Sequence, residues 1–468
     1  MNFSSRKKCL IIFLFTASIF VIGTNQPSEK ITGNFQARYA LTKSLIHSKN
    51  FTITEYKEYL GYDQAIYENE IYCAHSAGFS IIMVPVDLLF VLPTNYISSL
   101  IFDKKLTFYE QGWLNRIISI SLLSALSLLY LYKSILLYVP EKYAIHLYSS
   151  FTFATLIFPY SSYAVPDILS ATLQFPIMYM LLNWNLKRNP SLIVKIFSAL
   201  SIVFLPLIKP INALYCVAIF MISPFFGSVR KTVKIALLGF LSLSIMLALN
   251  LTPDGNIFTF AGKYFSPGGS GYFPNIEDAT RTSFFNLDLI TLTKLIDIFF
   301  DEGNGHFTFN SILLLGTIVF TSSKNITKPP IPIAVAVLPL LFYTIFFMGF
   351  SRWAYGQDFG WRNGLPLIPP FILLTLISIK NFNALYKLLF ILFSIKGYYL
   401  NSLVSLSTSN MKPKHRGNEL FWYMERDATS IAGHLFGNPA GAIFIIIAII
   451  LFTLVFNRIV KSNLNHTN

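Results

Sequence analysis

Charge is scarce in this chain. Asp, Glu, Lys and Arg make up 12% of its 468 residues, against roughly a quarter in a soluble domain, and so thin a supply of charge excludes an ordinary water-exposed surface. Cysteine is scarcer still: Cys9, Cys73 and Cys216 show no CxxC spacing, which argues against a disulfide framework or a thiolate metal site. No convincing internal repeat is legible, which weighs against the related halves of many transporters. The glycine-rich run Ser266 to Gly271 matches no phosphate-loop spacing and reads as a plain loop. A net charge of +14 invites thoughts of nucleic acid. The basic residues, however, fall in short clusters between apolar runs, the pattern of cytoplasmic helix ends, so no nucleic-acid partner is expected.

What the chain has instead is hydrocarbon: 54% hydrophobic residues and 45 Phe. The expectation is an all-α polytopic membrane protein, with about twelve transmembrane helices at roughly 20 residues each. Residues 1–23 read as an uncleaved first helix held in the cytoplasm by Arg6, Lys7 and Lys8. Residues 24–112 are too charged to enter lipid, with Glu55, Glu58, Asp63, Glu68 and Glu70, and read as a long first periplasmic loop carrying interfacial helices. Within it Ala77 to Pro93 turns apolar but is interrupted by Pro85, Asp87 and Pro93, which predicts a surface helix rather than a span. Residues 113–250 form a transmembrane core, 251–306 a second periplasmic loop, 307–400 further helices, 401–440 a third loop, and 441–468 the last helix and a cytoplasmic tail. Predicted inner turns are short and carry Lys or Arg, while the three long segments all fall on one face.

Ionisable residues at membrane depth are functional candidates by default. Lys209, between two apolar runs, reads either as a lysine snorkelling to the outer headgroups or as a cation awaiting a lipid phosphate. Asp167 opens an inward helix, where the macrodipole alone favours a carboxylate. It shares its predicted face with Arg38 and Lys209. Arg352, Asp358 and Arg362 mix with Trp and Gly, as an aromatic belt or as a grip on phosphate and sugar. His75, just before the surface helix, is either a hydrogen-bonded structural group or a titrating one.

Taken in order, these motifs resemble the GT-C superfamily of membrane glycosyltransferases, whose aminoarabinose transferase and protein mannosyltransferase groups use polyprenyl-phosphate-linked sugars. The residues that carry the resemblance are Ala37-Arg38-Tyr39-Ala40, Ser76-Ala77-Gly78-Phe79, Pro166-Asp167, Ile208-Lys209-Pro210, and Gly360-Trp361-Arg362 with Leu365-Pro366. They span roughly the first 380 residues. The resemblance implies donor-phosphate contacts from Arg38, Lys209 and Arg362, substrate contacts from Tyr39, His75 and Asp358, and a site lined by Asp167. It also implies a polyprenyl-phosphate sugar donor, a glycan or lipid acceptor, and a place in the bacterial inner membrane with the active face periplasmic.

One departure matters. The family carries an acidic residue a few positions before the Arg-Tyr, serving as general base and often aided by a metal; here Gly33, Asn34, Phe35 and Gln36 stand there, and none accepts a proton at neutral pH. Asp167 is the first choice as a relocated base, with Asp63, Glu70 and Asp358 behind it. A divalent metal has no clear ligand set. The alternatives are a catalytically silent GT-C-like protein that binds a lipid-linked sugar, and a glycolipid transporter or flippase.

Overall fold

The structure is a computed structural model, and it describes residues 5–24, 33–60, 64–67, 70–73, 77–226, 228–249, 287–301, 305–322, 330–349, 362–406, 435 and 437–465. The chain is an all-α polytopic membrane protein, and among the described residues it carries one small hairpin. Six of its described helices are long and apolar enough to cross a bilayer: Gly78–Phe102, Phe108–Ile135, Ile331–Gly349, Asn363–Asn381, Ala384–Leu406 and Pro439–Arg458. Shorter apolar helices, Leu192–Ile208, Pro210–Phe226 and Ser311–Ser322, fill the spaces between them. The helix Ser5–Ile22 starts with Arg6, Lys7 and Lys8, and Lys8 is tied at 2.7 Å to Glu141, at the start of the helix Glu141–Phe153.

The first polar segment holds more structure than its sequence announces. Gly33–His47 is a helix whose residues from Phe35 to Ser44 are all buried. A two-stranded antiparallel hairpin, Gln64–Tyr67 with Glu70–Cys73, follows it, and Cys73 packs under the helix with Ala37, Ala40, Leu41 and Ile53.

The interruption read at Pro85, Asp87 and Pro93 needs correction. The helix runs unbroken over 25 residues, Gly78–Phe102. It absorbs Pro93 by opening into a wider π-turn at Asp87–Val91, where the Leu92 amide donates to the Asp87 carbonyl. A proline ring collides with the carbonyl four residues back in a tight α-turn, and one extra residue per turn relieves that collision. The helix ends at Asp103, in the left-handed region at φ 49°. The next begins at a capping box: Thr107 Oγ1 accepts from the Glu110 amide at 3.2 Å, and Glu110 Oε2 accepts from the Thr107 amide at 2.8 Å.

Lipid tails are as apolar as leucine, so helices in a membrane associate through close packing and shared polar contacts rather than by escape from water. The chain uses both. Gly316 lies on Thr375, Gly397 on the Ala154 carbonyl, and Gly78 on the Leu207 carbonyl, each so near that a Cβ would collide. Buried hydroxyls join distant helices, as Thr16 to Tyr148 at 2.8 Å and Ser149 to Thr453 at 2.9 Å.

Candidate functional site

Three turns far apart in sequence meet at one place. The first follows the short helix Ile157–Ser162. Val165 N donates to the Tyr160 carbonyl and Ala164 N to the Ser161 carbonyl, a Schellman closure that requires a left-handed residue. Ala164 takes that place at φ 50°, which normally favours glycine. The chain then leaves in extended form at Val165 and re-enters helix at Pro166, which sets Asp167 in its first turn, 7% exposed.

The second turn breaks the helix Leu192–Ile208. Pro210 has no amide hydrogen and disfavours the helical region for the residue before it, so Lys209 is extended at φ −153°, ψ 120°. The third is the 3-10 stretch Arg362–Leu367. Lys209 Nζ lies 2.7 Å from Asp167 Oδ1 and donates to Asn363 Oδ1 at 2.6 Å. The Lys209 side chain is 29% exposed and the Asp167 side chain 9% exposed, so the lysine is the more accessible partner of the pair.

Beneath the pair runs a polar ladder. Asn212 donates to Ser170 Oγ at 2.8 Å and to the Leu205 carbonyl at 2.9 Å, and it accepts from Tyr343 OH at 3.1 Å. Its own amide bonds the Lys209 carbonyl at 2.9 Å, which closes the turn. Gln174 donates to the Ser170 carbonyl at 2.7 Å and the Pro366 carbonyl at 3.0 Å, joining the first turn to the third. Asp167, Ser170 and Gln174 recur at helical spacing, which puts one polar edge toward both partners.

A second charged group locks the helix Gly33–His47 onto the Gly78–Phe102 helix. Asp87 is fully buried, receives Lys43 Nζ at 2.8 Å and Tyr39 OH at 2.7 Å, and accepts weakly from Asn115 at 3.3 Å. Burial and the neighbouring carboxylate hold the Tyr39 phenol well above its ordinary pKa, so it acts as a donor. Tyr39 and Lys43, one helical turn apart, reach the same carboxylate. Arg38, on the adjacent face, is 6% exposed with its guanidinium 5.8 Å above the Phe79 ring. Phe79 follows Gly78, which lies against Leu207, so packed side chains connect Arg38 to the Lys209 turn.

The sequence-predicted residues therefore divide. Asp167 and Lys209 are brought into direct contact. Arg38 is buried against Phe79, and Tyr39 is buried with its hydroxyl committed to Asp87. Arg362 immediately precedes the Asn363 that meets Lys209, but its side chain, like His75, Asp63, Arg352, Asp358 and the Ser266 to Gly271 run, lies outside the described residues. Sequence reasoning passed over Lys43, Ser170, Gln174, Asn212, Tyr343 and Asn363, and treated Asp87 only as an interruption. A carboxylate within an apolar run was the available signal for Asp87. The others are neutral or lie in a polar segment, and carry no such mark. Among the described residues, no three His, Cys, Asp or Glu side chains converge to hold a metal.

No family model matches the chain, and no curated protein matches it. Two solved structures are similar to it in overall shape. ArnT from Cupriavidus metallidurans bound to undecaprenyl phosphate is 12% identical, with 96% of this chain and 76% of that one covered and a TM-score of 0.49. The same protein in the apo state is 11% identical, with 97% and 77% covered and a TM-score of 0.47.

Proposed function

We propose that the chain is an integral membrane glycosyltransferase that moves a sugar from a polyprenyl-phosphate-linked donor to an envelope glycan or lipid acceptor at the periplasmic face of the bacterial inner membrane. The observation that carries this reading is the contact between Lys209 and Asp167, 42 residues apart in sequence, with the lysine side chain partly exposed. A cation at the end of a membrane bundle suits a lipid phosphate, and a carboxylate beside it suits a hydroxyl that must lose its proton.

In this reading the donor phosphate binds Lys209, with Arg38 and Arg362 adding positive charge. Phosphate displaces the ammonium from the carboxylate, and Asp167 is released to face the acceptor. The acceptor oxygen attacks the anomeric carbon and its proton passes to Asp167. The bond from that carbon to the phosphate oxygen breaks with inversion, and polyprenyl phosphate leaves with the electron pair, its charge held by Lys209.

A second reading is favoured by two specific observations. None of Gly33, Asn34, Phe35 and Gln36, the positions just before Arg38, is a carboxylate, and Asp167 is already engaged by Lys209. Both fit a catalytically silent protein that holds a lipid-linked sugar for a partner.

One experiment separates the two. Lipid co-purified with the wild type, Lys209→Met, Arg38→Ala and Asp167→Asn is identified by mass spectrometry, alongside an assay for released polyprenyl phosphate. Lys209→Met is expected to weaken polyprenyl-phosphate binding roughly 10- to 100-fold, the worth of one charge-assisted hydrogen bond. Asp167→Asn retaining lipid while release stops supports the transferase. Wild type that binds lipid and never releases polyprenyl phosphate with any acceptor supports the silent binder, and no bound lipid at all refutes both.

A further inference from the structure

The Lys209 ammonium has two anchors of different charge. Asp167 Oδ1, at 2.7 Å, comes from the first of the three turns, and Asn363 Oδ1, at 2.6 Å, from the third, 154 residues further along the chain than Lys209. An ammonium donates and never accepts, so the amide meets it through its carbonyl oxygen. Asn363 opens the membrane-length helix Asn363–Asn381. Its backbone is held by the bundle: Leu365, Leu367 and Ile368 are fully buried, and the Pro366 carbonyl accepts from Gln174 at 3.0 Å. The amide is therefore set in place by packing, whereas the lysine that it meets is a flexible four-carbon stem.

The two anchors differ in what they leave for a ligand. Paired with Asp167, Lys209 presents little net charge to an approaching phosphate, which gains the full attraction only once the carboxylate gives way. At that moment the carboxylate no longer fixes the lysine. A neutral carbonyl oxygen keeps its hydrogen bond to the ammonium without cancelling the ammonium's charge. The Lys209 side chain is also the more accessible partner, at 29% against 9%, so one anion can replace the other at an ammonium that the third turn still holds.

We propose, resting on the transferase reading above, that Asn363 is a positioning residue: it holds the Lys209 ammonium in place while the donor phosphate exchanges for Asp167. Its neutrality is what the exchange requires. An aspartate at this position would keep the acceptor oxygen but set a second carboxylate on one ammonium, so the three side chains would carry a net negative charge and repel phosphate.

The test measures binding of undecaprenyl phosphate to the full-length protein in phosphatidylcholine nanodiscs by native mass spectrometry, with thermal unfolding recorded for each variant. Asn363→Leu is expected to bind about tenfold more weakly than wild type. Asn363→Asp is expected to bind roughly 100-fold more weakly, through the repulsion of one added charge, with no loss of thermal stability because its hydrogen bond to Lys209 becomes charge-assisted. A merely structural role would give the opposite order of binding, since the stronger acceptor would then serve better. Combining Asp167→Asn with Asn363→Asp returns the site to one carboxylate, and is expected to restore binding to within about threefold of wild type. Asn363→Asp binding as tightly as wild type, or the combined variant binding as weakly as Asn363→Asp alone, overturns the role of Asn363. If Asn363→Leu fails to fold, those two comparisons decide. Wild type that binds no undecaprenyl phosphate overturns the transferase reading itself, and this inference with it.

Discussion

Asp87 offers the sharpest test of what holds the helix Gly33–His47 in place. Replacing it with Ala removes the carboxylate that receives Lys43 Nζ at 2.8 Å and Tyr39 OH at 2.7 Å, and leaves an ammonium only 5% exposed without its counter-ion. Breaking a buried ion pair from one side costs about 3–5 kcal/mol, because the surviving charge remains desolvated. Cys73 reports the opening directly. It is 4% exposed and packed beneath the same helix, so a thiol reagent reaches it only when that helix lifts. With about 1.4 kcal/mol per factor of ten, the rate of Cys73 alkylation is expected to rise by roughly two to three orders of magnitude in Asp87→Ala. Peptide mass spectrometry distinguishes this modification from that of Cys9 and Cys216. The double variant Lys43→Met with Asp87→Leu removes both charges and is expected to recover most of the protection, a coupling of at least about 2 kcal/mol. An Asp87→Ala rate within about threefold of wild type, or strictly additive effects in the double variant, would refute the reasoning.

Three further outcomes follow from the geometry. Ala164→Gly is expected to raise thermal stability by about 1 kcal/mol by relieving the left-handed backbone, and Ala164→Val to lower it by more, both read in thermal unfolding. Gly78→Ala drives a methyl group into the Leu207 carbonyl, and is expected to cost about 1–3 kcal/mol and to weaken polyprenyl-phosphate binding, because Leu207 leads into the Lys209 turn. Asn212→Asp keeps the shape but loses both donated bonds. It is expected to cost about 2–3 kcal/mol and to lower lipid affinity, whereas Tyr343→Phe, which removes one bond, costs about 1 kcal/mol.

That Asp167 and Lys209 lie at one end of the bundle was legible because long-range placement follows from a simple rule. Charged residues avoid lipid, so Lys187, Lys195 and Arg230 mark one set of helix ends, and Asp167 and Lys209 had to lie at the other. Their direct pairing was not legible, since two residues at the same depth stand anywhere around a bundle until the packing of helices sets the angle. The Gly78–Phe102 helix shows the limit of local rules. Two prolines and an aspartate read as breaks, yet a π-turn accommodates one proline and the ammonium of Lys43, from a different helix, neutralises the aspartate.

The sequence by itself determined the solvent and the class of fold: with 12% charged residues and 54% hydrophobic ones, only membrane-crossing helices satisfy every backbone group within the segment that carries it. It also named Arg38, Asp167 and Lys209 as ionisable residues that need a reason, though not Lys43 or Asp87. Which of them meet was decided by tertiary structure alone. Asp167 finds Lys209 and Asn363, and Asp87 finds Lys43 and Tyr39, because glycines such as Gly78 let particular helices approach until their polar groups touch. Hydrophobic periodicity records which face of a helix is buried, but carries no label for the partner that buries it.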